Sequence, residues 1–324
     1  DSLHRVAWVL VTCGLVSTVY GLVQFVTGPT AIDYRWAEAA GGFSIGAGRL
    51  ASALSGSSAD GEIWRVNGFQ PDALTFGLLT MTAFASCWLL KCMRRIRPAL
   101  AWLFCAVLAA GTAICLVRTV WVAAAAFVGF AFVARRASVV VRPKVLIPML
   151  AVFFVGADLA SSYLRDRAES VAKVDNVYVA RALVLGTVAA RKHAVQNFLA
   201  LLPERLFTGG GYAASPWVDS KFGEPGGAPR NLVALTSHNV VVESLWYVGM
   251  PGLLLMILMI AEVARRAFLG LSRAQPNDRK ILAVITGYVV GMFVSGLGNG
   301  GVFLSFYYFY FCGVLVRYGT LAAT

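Results

Sequence analysis

The sequence predicts an all-α polytopic membrane protein of about eight transmembrane helices, and three observations carry that prediction. Of 324 residues, 58% are hydrophobic and only 14% are charged, against about 25% charged in ordinary soluble domains. Apolar stretches of roughly the 20 residues that a bilayer crossing needs recur along the chain. Lys and Arg, which produce the formal net charge of +12, gather in short segments between those stretches. In a membrane chain such an excess sits in cytoplasmic loops against anionic headgroups, so it points to membrane lipids as partners and away from nucleic acid.

The first predicted span is Val6 to Val26, followed by an external segment from Thr27 to Asp72 and a second span from Ala73 to Leu90. Ala99 to Ala134 is too long for one span and is interrupted at Arg118. A charge at the centre of a single span costs about 2.5 kcal/mol or more, so this stretch divides into two helices meeting near Val117 to Thr119. Val145 to Leu164 is the fifth span and closes a first region, residues 1–164. The middle region, 165–239, is a large external segment. Within it, Leu183, Val188, Val195 and Leu202 recur at helical spacing with Arg181, Arg191 and Lys192 among them, which predicts one or two helices lying at the interface. Pro203 ends that pattern, and the Gly- and Pro-rich TGGGYAASPWVDSKFGEPGGAPRN reads as a loop and candidate lid. The last region, 240–324, holds the spans Val240 to Ala261, Ile281 to Leu297 and Val302 to Tyr318. An apolar stretch opens directly after Asp1 to Arg5 with no cleavage-site pattern behind it, and further sequence is expected ahead of it.

Orientation follows from the short loops. Lys91, Arg94, Arg95 and Arg97 fill one, Arg135, Arg136, Arg142 and Lys144 a second, and Arg265, Arg266, Arg273, Arg279 and Lys280 a third, with Asp278 the single acid between the first and last cation of any of them. Eight helices put all three on one face, the cytoplasmic one. The opposite, external face then carries 27–72, the Arg118 turn, 165–239 and the glycine turn Gly298 to Gly301.

No GxxxxGK[ST] loop, HExxH or GxSxG occurs, and no soluble domain is left to bind ATP or a nucleotide sugar. Chemistry on the external face therefore needs a substrate that arrives activated, such as a lipid carrying a diphosphate leaving group. The six cysteines, Cys13, Cys87, Cys92, Cys105, Cys115 and Cys312, show no CxxC or metal-ligand spacing and read as packing residues, so neither a metal site nor a cofactor is indicated. His238, between Ser237 and Asn239 at the start of an apolar helix, has two readings. Ser237 is a candidate N-cap, and the positive end of a helix favours neutral imidazole, the form that accepts a proton; alternatively His238 is an interfacial side chain bonded to a carbonyl. Arg118 either faces the bundle interior, where a guanidinium suits bidentate phosphate binding, or snorkels to the surface. Arg181 on the interfacial helix and Arg65 ahead of the second span are headgroup contacts or further phosphate ligands. Gly287, Gly291 and Ser295 read as a helix-packing stripe, FLSFYYFYF as an aromatic belt, and Asp158 as interfacial.

Four stretches together resemble the O-antigen ligase and polymerase superfamily of membrane glycosyltransferases: VYGLVQFVTG with RVNGFQPDALTFGLL, then AICLVRTVWVAAAAF, RLFTGGGYAAS and SHNVVVESLWYVGMPG. Their order matches over nearly the whole chain. The chain departs from the pattern at Val117, where Ser is usual, at Asp72 for Asn, and at Tyr247 for Glu. The resemblance implies a GT-C-like fold with about four further helices ahead of this chain's first. It also implies that His238 is the catalytic base, with Arg118, Arg181 and, less directly, Arg65 on the donor diphosphate and Ser237 and Asn239 supporting the histidine. The implied activity is metal- and ATP-independent, inverting transfer of glycan from undecaprenyl diphosphate to lipid A-core, at the periplasmic face of a bacterial inner membrane. Repeat-unit polymerisation and transfer to protein hydroxyls are the neighbouring alternatives, and a lipid or sugar transporter is the alternative of a different class.

Overall fold

The computed structural model describes residues 2–28, 30–33, 35, 66–70, 73–136, 206–210, 240–299 and 306–321. Seven long helices are described: α1 (Ser2–Thr27), α2 (Ala73–Cys92), α3 (Pro98–Ile114), α4 (Arg118–Arg136), α5 (Val240–Arg273), α6 (Pro276–Asn299) and α7 (Phe306–Leu321). Five of them, all but α3 and α7, are long and apolar enough to cross a membrane. The architecture is that of a polytopic helical membrane protein. The predicted span Val145 to Leu164 with Asp158, the interfacial helix with Arg181, and most of both external segments lie outside the described residues.

Two compact units are present. In the first, α1 to α4 and the N-terminal part of α6 pack around two apolar clusters at opposite ends of the helices. One is built from Ala7, Val11, Ala83, Cys87, Leu90, Ala101, Cys105 and Leu108, where α1 begins, α2 ends and α3 begins. The other unites Val66, Phe76, Ile114, Cys115 and Val120, where α2 begins, α3 ends and α4 begins. Polar side chains tie the helices as they do where hydrophobic burial alone gives no preference between helix and lipid: Thr80 and Thr112 hydroxyls lie 3.1 Å apart across α2 and α3, and Thr82 and Tyr288 hydroxyls 2.7 Å apart across α2 and α6. Gly287 lets α6 approach α4 so closely that a Cβ there would stand 2.7 Å from the Phe127 carbonyl oxygen, as expected of the packing stripe.

The division of Ala99 to Ala134 at Arg118 is observed: α3 stops at Ile114 and α4 starts at Arg118. Pro98 at the first helical position of α3 supplies the fixed φ that a helix start needs. Leu116, at the turn, holds a left-handed φ of 52°, a conformation that costs a non-glycine residue about 1 kcal/mol. Trp121 secures the corner by donating its indole N–H to the Thr112 carbonyl at 3.0 Å.

In the second unit α5 runs to Arg273, well past the predicted end at Ala261. The reason is the polar turn that follows, where Glu262 accepts hydrogen bonds from Arg265 at 2.6 Å and Arg266 at 2.7 Å. Such i, i+3 and i, i+4 pairs favour continued helix by a few tenths of a kcal/mol each. Arg265, Arg266 and Arg273 are therefore helical rather than loop residues, and Glu262 partly offsets them. Arg266 also donates to the Thr320 hydroxyl at 3.1 Å, fastening α5 to α7. In the aromatic run, Tyr308 and Phe311 are core residues and Phe309 is exposed, so only part of that run is available as a belt.

Candidate functional site

Arg118 is half-buried at the first position of α4. Its neighbour Val117 packs onto the cluster that contains Val66, the residue after Arg65. The fold thus brings the chain flanking Arg65 and the chain flanking Arg118 to one end of the first unit, opposite its Lys91-to-Arg97 end. Arg65 and Arg181 lie outside the described residues, as do Ser237, His238 and Asn239, which directly precede α5.

The segment leading from Val66 is held by a group that sequence reasoning left without a role. Gln24, near the end of α1, is fully buried. Its carbonyl oxygen accepts the Gly68 N–H at 2.8 Å. Its amide nitrogen donates to Asp33 Oδ1 at 2.7 Å, Asn67 Oδ1 at 3.1 Å and the Gly68 carbonyl at 3.4 Å. Asp33, also buried, spends its second oxygen on Thr30, whose N–H and hydroxyl donate at 2.7 and 3.0 Å. Tyr20 reaches the Thr30 hydroxyl at 2.6 Å and stacks on Phe69 with ring centres 4.2 Å apart. Buried polar groups satisfied in this way rigidify what they hold. The clamp fixes the turn Asn67 to Gln70, where Gly68 has φ 57°, immediately ahead of α2. The available signal was a Gln in the last turn of an apolar helix, since a residue so polar in that place calls for a partner.

In the second unit residues 206–210, within RLFTGGGYAAS, meet the motif WYVGMPG. α5 breaks at Gly249, whose φ of 68° and ψ of −172° are not helical. The break removes the bond that Met250 N–H would make to the Trp246 carbonyl four residues back. Instead Met250 N–H donates to the Leu206 carbonyl at 2.7 Å, and Gly210 N–H donates to the Trp246 carbonyl at 2.7 Å. The segment 206–210 replaces the lost bond with two of its own, which is the condition for irregular backbone inside a membrane. Leu206 also packs beside Val242 and Trp246. This places residues 206–210 on the helix that begins two residues after His238.

An apolar cavity of about 300 Å³ lies among α2, α3 and α4, lined by Met81, Phe84, Thr112, Trp121 and Phe127 among others. Trp121 and Val128 lie on the face of α4 that begins at Arg118, three and ten residues on. No protein-family model matches the chain, and no curated protein sequence matches it.

Proposed function

We propose that this chain is a membrane glycosyltransferase that takes its glycan from a polyprenyl diphosphate, with an acceptor hydroxyl attacking the anomeric carbon on the face away from the basic loops. The new C–O bond forms as the bond from the anomeric carbon to the diphosphate oxygen breaks, with inversion. His238 takes the acceptor's proton, and the electron pair leaves with the diphosphate, whose charge Arg118, Arg181 and Arg65 offset. The acceptor we propose is lipid A-core at the outer face of a bacterial inner membrane. The single observation behind this reading is that Val66 and Val117, adjacent in sequence to Arg65 and Arg118, share one cluster at one end of the first unit, with the Gln24 clamp beside it. The apolar cavity supports it too, being within the size range of ligand pockets and one helical turn from Arg118.

The break in α5 favours a second reading, since transporters hold cargo on discontinuous helices. In such sites the unwound backbone faces the cargo, whereas here Trp246 and Met250 give theirs to the segment 206–210. One experiment separates the readings. Purified protein is supplied with lipid-linked donor and lipid A-core in EDTA without ATP, and transfer of glycan is followed by gel mobility. Turnover supports the transferase. Product formed only on a second lipid-linked glycan moves the assignment to polymerisation, and movement of the donor between leaflets without product moves it to transport.

A further inference from the structure

The opposite end of the first unit carries a group of cations that the transfer reaction does not use. Lys91 at the end of α2, Arg135 at the end of α4 and Lys280 in the first turns of α6 all lie within electrostatic reach of Cys92. Two of them are seated on aromatic faces: Lys91 Nζ lies 3.5 Å from the centre of the Trp102 ring, and Arg135 Cζ 5.9 Å from that of Trp88. Such seating narrows the positions of long, otherwise mobile side chains. Asp278 is the one acid on these segments among the described residues.

The link between α2 and α3 adds a second observation. Arg95 N–H donates to the Leu90 carbonyl at 2.9 Å and Arg94 N–H to the Lys91 carbonyl at 3.1 Å, the paired bonds of a Schellman helix ending. The left-handed position that such an ending gives to glycine is held here by Arg94, at φ 57°. A guanidinium is carried at a backbone cost that glycine would avoid, and Arg94, Arg95 and Arg97 are all exposed. Beside them α3 presents Trp102 and Leu103, 60% and 58% exposed. A soluble anion has no use for that apolar shoulder. A phospholipid does.

We propose that Lys91, Arg135 and Lys280 bind the phosphodiester headgroup of an anionic membrane phospholipid, whose acyl chains lie along α3 at Trp102 and Leu103. The site stands whether or not the chain is a glycosyltransferase. The test uses purified full-length chain in zwitterionic detergent, titrated with phosphatidylglycerol or phosphatidylcholine carrying brominated acyl chains, and reads quenching of tryptophan fluorescence. The expected result is a preference of roughly tenfold for phosphatidylglycerol, falling below about twofold when Lys91→Gln, Arg135→Gln and Lys280→Gln are combined. Lys91→Gln alone should lose part of it, and serves if the triple variant does not fold. Arg265→Gln, Arg273→Gln and Arg317→Gln combined remove the same charge from α5 and α7 and should leave the preference intact. Equal binding of both lipids by the unaltered chain, an unchanged preference in the triple variant, or an equal loss in the α5 and α7 variant overturns the site. Displacement of the quenching lipid by millimolar inorganic phosphate also overturns it, in favour of a soluble anion.

Discussion

Gly209 and Gly249 lie backbone against backbone, each at φ 68°, and neither has room for a side chain. A Cβ at Gly209 would stand 2.6 Å from the Tyr247 carbonyl oxygen and 2.7 Å from Gly249 N; one at Gly249 would stand 2.6 Å from the Phe207 carbonyl oxygen. The obstructing atoms are main chain and cannot swing aside. The spacing of glycines in two motifs 40 residues apart is thereby one structural fact.

Gly209→Ala or Gly249→Ala should therefore undock the segment 206–210 from α5. The left-handed φ alone costs about 1 to 2 kcal/mol, and the loss of the Met250 and Gly210 bonds adds to it. Thermal unfolding in detergent should begin several degrees lower, and limited proteolysis should cut near residue 206 faster. Gly313→Ala, where a Cβ meets nothing within 4 Å, should change neither.

Gln24→Leu removes the acceptor of the Gly68 N–H and a donor to Asp33, each loss costing about 1 to 3 kcal/mol in a buried place. If the clamp positions Arg65, transfer should fall with it. Gln24→Glu keeps the shape but sets a second carboxyl against Asp33. With no donor left to face Asp33 Oδ1, that variant should melt several degrees below the parent in detergent, and an unchanged melting temperature would refute the contact.

If the proposed transfer mechanism holds, His238→Ala should reduce turnover about 10²-fold or more while donor still binds, because that mechanism assigns the diphosphate to the arginines. Arg118→Ala should weaken donor binding as well, and Arg118→Lys should restore only part, since a point charge cannot reproduce the guanidinium fork. Donor binding is read by equilibrium titration and turnover by product gel, both on membrane-inserted protein. Near-normal transfer by His238→Ala would leave that residue an interfacial side chain.

Membrane orientation is open to labelling. In a background with the six cysteines replaced, an impermeant maleimide applied from the cytoplasm should reach Ser138→Cys and Gln275→Cys, and miss Ser57→Cys and Ser220→Cys. Labelling of Ser220→Cys from that side would reverse the assignment of faces.

Hydropathy and charge made α1, α2 and the α3–α4 corner legible, because a span's length and an intolerable central charge are local properties. Arg118 was legible for the same reason. The run of α5 past Ala261 was not, since an apolar window stops at Glu262 while the helix continues through its pairs with Arg265 and Arg266. The docking of Gly209 on Gly249 leaves no side-chain pattern to read, being made of main-chain bonds, and glycines alone mark only where the chain can bend. Gln24 and Asp33 were hidden by distance along the chain: each looks like a stray polar residue until the turn at Asn67 and Gly68 is folded against them.

The reach of Gln24 to Gly68 also orders the chain's birth. The two residues are 44 apart in sequence, and at about 5 to 20 residues per second the ribosome needs roughly 2 to 9 seconds to make the second after the first. Asp33, nine residues on, can take an amide hydrogen of Gln24 early, but until Gly68 is made the Gln24 side-chain oxygen lacks the N–H that it accepts in the folded chain. The contact can then close only in chains that have delivered both segments to the same side. A chain that has delivered them to opposite sides leaves the Gln24 side-chain oxygen without the Gly68 N–H and forgoes a buried hydrogen bond.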